Sequence, residues 1–209
     1  MKKEQLFLYL ITDRQWLLNR TLSEDVEIAL KNGVTMVQLR EKKLSGDALL
    51  KEALEIKALC KQYSVPFIVN DDVILAAKTD ADGVHVGQSD MSVADARKIL
   101  GSGKIIGATA KTVEQAKTAY EQGADYLGSG AVFGSTTKED ARPMSVELLN
   151  EICDSVPIPV VAIGGITGDN VLELKGSRIS GVAVISGILG VADIGNAAKD
   201  FCNKLKYIV

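Results

Sequence analysis

The sequence predicts an α/β fold, a single-domain (β/α)8 TIM barrel, and three observations carry that expectation. Eight short β-rich runs alternate with amphipathic stretches from one end of the chain to the other. Those runs are continuously apolar, as in parallel strands covered by helices, where a half-exposed sheet would alternate. Eight such units within 209 residues suit a closed barrel at the small end of its usual range. No Gly-x-Gly-x-x-Gly opens the first helical stretch, which weighs against an open dinucleotide-binding sheet. With no linker or low-complexity segment, residues 1–209 read as one domain.

In order, strands are expected at 6–12, 36–41, 66–71, 83–88, 105–110, 126–133, 160–166 and 182–186. Helical spacing of apolar residues marks 25–31, 46–63, 93–100, 113–122, 146–154, 169–174 and 194–207. Ser23-Glu24, Ser92-Val93 and Thr112-Val113-Glu114 place a hydroxyl ahead of a helical run, the signature of an N-cap. A weak repeat precedes alternate strands: Asn32-Gly33-Val34-Thr35, Ala81-Asp82-Gly83-Val84, Gln122-Gly123-Ala124-Asp125 and Ile179-Ser180-Gly181-Val182. Glycine there is expected to end the preceding helix before the chain enters the barrel wall.

Composition removes several classes. A net charge of −3 and a pI near 5.3 offer no basic surface for nucleic acid or anionic lipid. No apolar run approaches the roughly 20 residues needed to span a bilayer. Lys2 and Lys3 lead into an apolar run that enters Thr12-Asp13 without a small-residue cleavage site, so it reads as a first strand and not a signal peptide. Cys60, Cys153 and Cys202 are far apart and form no Cys-x-x-Cys pair, which suits small buried side chains in a reducing cytoplasm.

In such a barrel the chemistry belongs at the C-terminal ends of strands. The second strand closes on Gln38-Leu39-Arg40-Glu41-Lys42. Strand geometry puts Gln38, Arg40 and Lys42 on one face, with Leu39 and Glu41 on the other. Two cations on an inward face are costly unless an anion sits against them. Acidic residues end two later strands, in Asn70-Asp71-Asp72 and Gln88-Ser89-Asp90. Cations and carboxylates converging from separate strands describe a site for a diphosphate and its Mg²⁺. Gly164-Gly165-Ile166-Thr167 and Ile185-Ser186-Gly187-Ile188 follow the last two strands, where barrels of this kind often bind phosphate. Asp72 and Ser92 read as helix caps, and His85 as a packed, hydrogen-bonded strand residue.

These segments together, with Gly83-Val84-His85-Val86-Gly87-Gln88, Asp90, Thr137-Lys138 and Ala162-Ile163-Gly164-Gly165-Ile166, resemble the thiamine-phosphate synthase family. The likeness runs in order along nearly the whole chain, and no single motif carries it. It implies an enzyme that joins a Mg²⁺-bound hydroxymethylpyrimidine diphosphate to a thiazole phosphate by a dissociative displacement. The products would be thiamine phosphate and diphosphate. By position it implies that Gln38, Leu39, Arg40, Glu41, Lys42, Asn70, Thr109 and Lys138 form the pyrimidine-diphosphate site. Arg40, Lys42 and Lys138 would be its catalytic cations, and Asp71 and Asp90 its metal ligands. Ser135, Thr136, Thr137, Gly165, Ile185 and Ser186 would hold the thiazole phosphate. Thr109 stands where the family commonly has serine, and keeps the hydroxyl. The sister thiazole tautomerases look to a histidine where this chain has Lys111, so proton transfer of that kind is not expected. A non-catalytic binder of thiamine precursors would have no use for the metal carboxylates. The expected partners are two small-molecule substrates, with no nucleic acid and no membrane, and a homo-oligomer is allowed.

Overall fold

The computed structural model describes residues 1–134 and 144–209. Eight strands form the barrel wall: β1 (Leu8–Ile11), β2 (Met36–Leu39), β3 (Phe67–Asn70), β4 (Gly83–Val86), β5 (Ile105–Thr109), β6 (Tyr126–Gly130), β7 (Val160–Ile163) and β8 (Gly181–Val184). They pair in parallel in chain order, and β8 closes on β1 through Leu8 opposite Val182, so no edge is left exposed. Around them run α1 (Leu22–Lys31), α2 (Gly46–Gln62), α3 (Val73–Lys78), α4 (Val93–Leu100), α5 (Val113–Glu121), α6 (Val146–Ser155), α7 (Ser186–Leu189) and α8 (Ile194–Leu205).

Strand alternation divides the apolar residues into two cores. Tyr9, Met36, Ile68, Tyr126, Val161 and Ala183 face inward and fill the barrel. Leu8, Leu10, Val37, Leu39, Phe67, Val69 and Val84 face outward, packing with Val26, Ile56, Ala96 and Phe201 of the helical ring. The fold class matches the expectation, while element ends differ for local reasons. Leu6 belongs to a 3-10 turn, Lys3–Leu6, and not to β1. The run expected as a strand to 133 leaves the wall after Gly130. The run at 169–174 folds as a 3-10 turn, Val171–Leu174. Helix α3 has only six residues, too few for its period to be read from sequence.

Caps account for the helix starts. Thr21, and not Ser23, caps α1: its hydroxyl accepts from Glu24 N, while the Glu24 carboxylate accepts from Thr21 N at 2.7 Å. Ser23 instead donates to Glu55 of α2 at 2.6 Å. Asp72, Ser92 and Thr112 cap α3, α4 and α5 as expected. Of the repeated glycines, Gly33 and Gly123 do end helices, at φ +107° and +96°. Gly83 and Gly181 lie inside strands, where a Cβ would fall 2.1 Å from the Ile105 carbonyl oxygen and 1.9 Å from that of Leu6. Their need for glycine is contact with a neighbour, not helix termination. Cys60 is buried in α2, while Cys153 and Cys202 are half-buried in α6 and α8, and all three are free thiols. Among the described residues no helix is long and apolar enough to cross a membrane.

Candidate active site

The C-terminal ends of the strands open into a cavity of about 720 Å³. Its floor is made by late inward positions of successive strands, among them Ile11, Gln38, Asn70, His85, Thr109 and Ile163. Arg40, Lys42, Asp71, Asp90, Lys111, Gly165, Ile185 and Ser186 add its walls and rim. The i, i+2, i+4 spacing of Gln38, Arg40 and Lys42 therefore continues past the end of β2, and all three reach the same cavity.

Arg40 is fixed from β1. Its N–H donates to the buried Thr12 hydroxyl at 3.0 Å, and its guanidinium meets Asp13 at 2.5 Å. Lys42 Nζ lies 2.9 Å from Asp71 Oδ2, and Asn70 Nδ2 donates to Asp71 Oδ1 at 2.7 Å. Asp71 sits at φ +62°, a left-handed conformation that Asp tolerates better than most residues. Its own N–H is held by the His85 carbonyl at 2.8 Å. Asp90 folds back so that its carboxylate accepts from Gly87 N at 2.8 Å. Arg40 and Lys42 are thus each matched by a carboxylate, with which an arriving anion would compete.

Two of the expected residues, Leu39 and Glu41, do not line the cavity. Leu39 is buried among the outward-facing residues that pack on the helices. Glu41 also turns away: its carboxylate takes Arg14 Nε at 2.7 Å and the N–H groups of Lys43 and Leu44 at 2.6 and 3.3 Å. Burial alone would push Glu41 up, but those hydrogen bonds outweigh it and hold the carboxyl below its ordinary range. Arg14 also grips Glu52 of α2, whose carboxyl burial pushes upward. Strand parity is the reason, since residues 39 and 41 occupy the face opposite 38, 40 and 42. Ser135, Thr136, Thr137 and Lys138 lie outside the described residues.

Asn70, Thr109, Gly165, Ile185 and Ser186 all border the cavity, as do Asp71 and Asp90. At Gly165, φ is +66°, and a Cβ would fall 2.7 Å from the Phe133 carbonyl oxygen, so close chain packing requires glycine there. His85 is packed and hydrogen-bonded as expected, with Tyr126 and Thr109 each 3.1 Å away, yet it also borders the cavity. Its inward parity, shared with its neighbour Asn70 across β3 and β4, was the signal for that. Asp13 and Arg14 gave no such signal, because their partners are 27 residues away.

The donor set fits Mg²⁺. Asp71 and Asp90 present hard carboxylate oxygens to one cavity, while among the described residues no group of three or more His, Cys, Asp or Glu side chains gathers to cage an ion. An ion held by one or two carboxylates, with substrate phosphates and water completing its shell, is the usual mode for this metal.

A closed (β/α)8 barrel with paired cations and carboxylates over a polar floor at its C-terminal mouth defines a barrel enzyme with a charged active-site cavity. The sequence profile of the family described as thiamine monophosphate synthase matches residues 8–188. The chain is 47% identical over 192 residues to a thiamine-phosphate synthase of Ruminiclostridium cellulolyticum, covering 92% of this chain and 91% of that one. It is 43% identical over 209 residues to thiamine-phosphate synthase 2 of Streptococcus pneumoniae serotype 4, covering all of both chains. The solved structure of a thiamine phosphate pyrophosphorylase from Pyrococcus furiosus superposes with a TM-score of 0.91 at 37% identity, over 99% of this chain and 98% of that one. The chain belongs to the thiamine monophosphate synthase family.

Proposed function

We propose that this enzyme is a thiamine-phosphate synthase, a transferase of thiamine biosynthesis that condenses 4-amino-2-methyl-5-(diphosphooxymethyl)pyrimidine with 4-methyl-5-(2-phosphooxyethyl)thiazole. The observation that carries this reading beyond family membership is the meeting of Arg40 and Lys42 from β2 with Asp71 and Asp90 from the ends of β3 and β4. Gln38, Asn70 and Thr109 hold the pyrimidine end, and Arg40 and Lys42, with Lys138 by position, receive the diphosphate. Asp71 and Asp90 would hold Mg²⁺, which when bound supplies positive charge to the leaving diphosphate. Lys42 exchanges its Asp71 partner for phosphate as the substrate enters. As the carbon–oxygen bond breaks, charge grows on the diphosphate beside fixed cations, while the electron-rich aminopyrimidine carries the positive charge left behind. The thiazole nitrogen then attacks from a position set by Gly165, Ile185 and Ser186, together with Ser135, Thr136 and Thr137. That nitrogen has no proton to lose, so no general base is required, and positioning and electrostatics supply the rate.

Lys111 borders the cavity where a tautomerase would need histidine, which favours the synthase reading. The whole chain works as a single domain, and its free thiols suit the cytoplasm. Purified protein incubated with both substrates and Mg²⁺ is expected to form thiamine phosphate with one diphosphate released per turnover. Absence of that product overturns the proposal.

A further inference from the structure

A chain of hydrogen bonds crosses the barrel beneath the cavity. Gln38 Nε2 donates to the Tyr9 hydroxyl at 2.6 Å, and the hydroxyls of Tyr9 and Tyr126 lie 2.8 Å apart. The Tyr126 hydroxyl is 3.1 Å from His85 Nδ1, and His85 Nε2 is 3.1 Å from Thr109 Oγ1. Five strands contribute one residue each, and the path joins three cavity-lining side chains, Gln38, His85 and Thr109, through two tyrosines that do not line it. The rings of Tyr9 and Tyr126 meet edge to face, with centroids 5.9 Å apart. Gly107 of β5 admits the second ring, because a Cβ there would lie 2.1 Å from Tyr126 Cζ.

The chain has a direction. The Gln38 amide nitrogen can only donate, so the Tyr9 oxygen accepts and its hydrogen goes on to Tyr126. Burial, above all the loss of hydration, raises both phenols far above their ordinary range, so each keeps its one proton. Tyr126, already accepting, donates to His85 Nδ1. An imidazole that accepts at Nδ1 carries its hydrogen on Nε2, and that hydrogen goes to Thr109 Oγ1. The Thr109 hydroxyl hydrogen is then the end of the relay, at the cavity wall.

We propose that Tyr9, Tyr126 and His85 are positioning residues that commit the Thr109 hydroxyl to donate a hydrogen bond into the cavity, to a ring nitrogen of the heteroaromatic substrate. The identity of that ring rests on the synthase reading, whereas the direction of the relay does not. A buried donor already oriented before substrate arrives selects an acceptor at that point, since a ring bearing C–H there would leave the hydroxyl without its partner.

His85 is the one histidine of the chain, so a long-range proton–nitrogen NMR spectrum of the full-length protein without substrate contains a single imidazole. The expected form carries its hydrogen on Nε2. An Nδ1–H tautomer reverses the relay and overturns the proposal, whatever the activity. Tyr126→Phe should mix the two tautomers and raise the pyrimidine-diphosphate KM about tenfold, with the thiazole-phosphate KM unchanged, the size expected for one hydrogen bond. Both KM values unchanged, or both raised alike, reduces the chain to packing and equally overturns the positioning role. If Tyr126→Phe does not fold, Tyr9→Phe cuts the relay one bond earlier and is read in the same way. A failure of the synthase reading is distinct, because it shows as wild-type protein that makes no thiamine phosphate.

Discussion

At the scale of single residues, Asp71 combines three circumstances: a left-handed backbone, an ion pair with Lys42 and a place on the cavity wall. Asn tolerates the left-handed region nearly as well as Asp, whereas Ala does not, so Asp71→Asn isolates the charge. This substitution should lower kcat/KM by about 10²–10³-fold and raise the Mg²⁺ concentration needed for half-maximal rate, with an unchanged circular dichroism spectrum. Steady-state kinetics at varied Mg²⁺ check it; an unaltered Mg²⁺ response would remove Asp71 from the metal site. Cys60 makes the opposite case, a reactive residue type made inert. Burial pushes its thiol up to about 12, and it has no exposed surface. Alkylation near pH 8 under native conditions should therefore label Cys202 and Cys153 long before Cys60, read by mass spectrometry of the digested protein.

At the scale of elements, the connection after β2 carries the cations, and a half-buried ionic clamp fixes it. Glu41 binds Arg14 and the backbone of residues 43 and 44, and Arg14 ties the clamp to Glu52 of α2. Arg14→Met leaves Glu41 buried without its cation and lets Arg40 and Lys42 drift, although Arg14 itself does not line the cavity. A fall in kcat/KM of about 10–10²-fold is expected, carried by the pyrimidine diphosphate, because small misplacements of positioning groups are felt strongly in rate. Kinetics with each substrate varied in turn check this. The two faces of this segment were legible in the sequence, because a period of two needs nothing beyond the chain itself. What Glu41 binds was not, because Arg14 and Glu52 lie 27 and 11 positions away and only the closed barrel brings them together. Caps at Asp72, Ser92 and Thr112 were legible for the same local reason. The tyrosine relay was not: Tyr9 and Tyr126 are separated by 117 residues, and each reads locally as an ordinary aromatic in an apolar strand. The strand glycines misled, since a glycine pressed against a neighbouring carbonyl and one ending a helix look alike in sequence.

At the scale of the whole molecule, the two ends of the barrel divide the work: chemistry at the C-terminal mouth, stability at the opposite end. There Arg97 of α4 donates to the carbonyls of Gly101, Lys104 and Gly123 and to the Asp125 carboxylate, at 2.6–3.0 Å. Arg97→Ala leaves those acceptors unmatched and should cost about 2–3 kcal/mol of unfolding free energy, with the KM values of the folded enzyme unchanged. Urea denaturation measures the first and kinetics the second. Stability should also fall in alkali. Below about pH 9 the Cys60 thiol is protonated in both folded and unfolded chains; above it the unfolded chain alone loses the proton, and Tyr9 and Tyr126 act in the same sense at higher pH. The urea midpoint should therefore decline from about pH 9 to 11, and less steeply in Cys60→Ala. The central claim is that the mouth of this barrel is a joint site for diphosphate and Mg²⁺, assembled by β2, β3 and β4. Titration calorimetry of the wild-type enzyme with inorganic diphosphate, with and without Mg²⁺, tests it directly. Tight binding that requires Mg²⁺ in the wild type and is lost in Asp71→Asn is the predicted result, and diphosphate binding equally tight in excess chelator would contradict it.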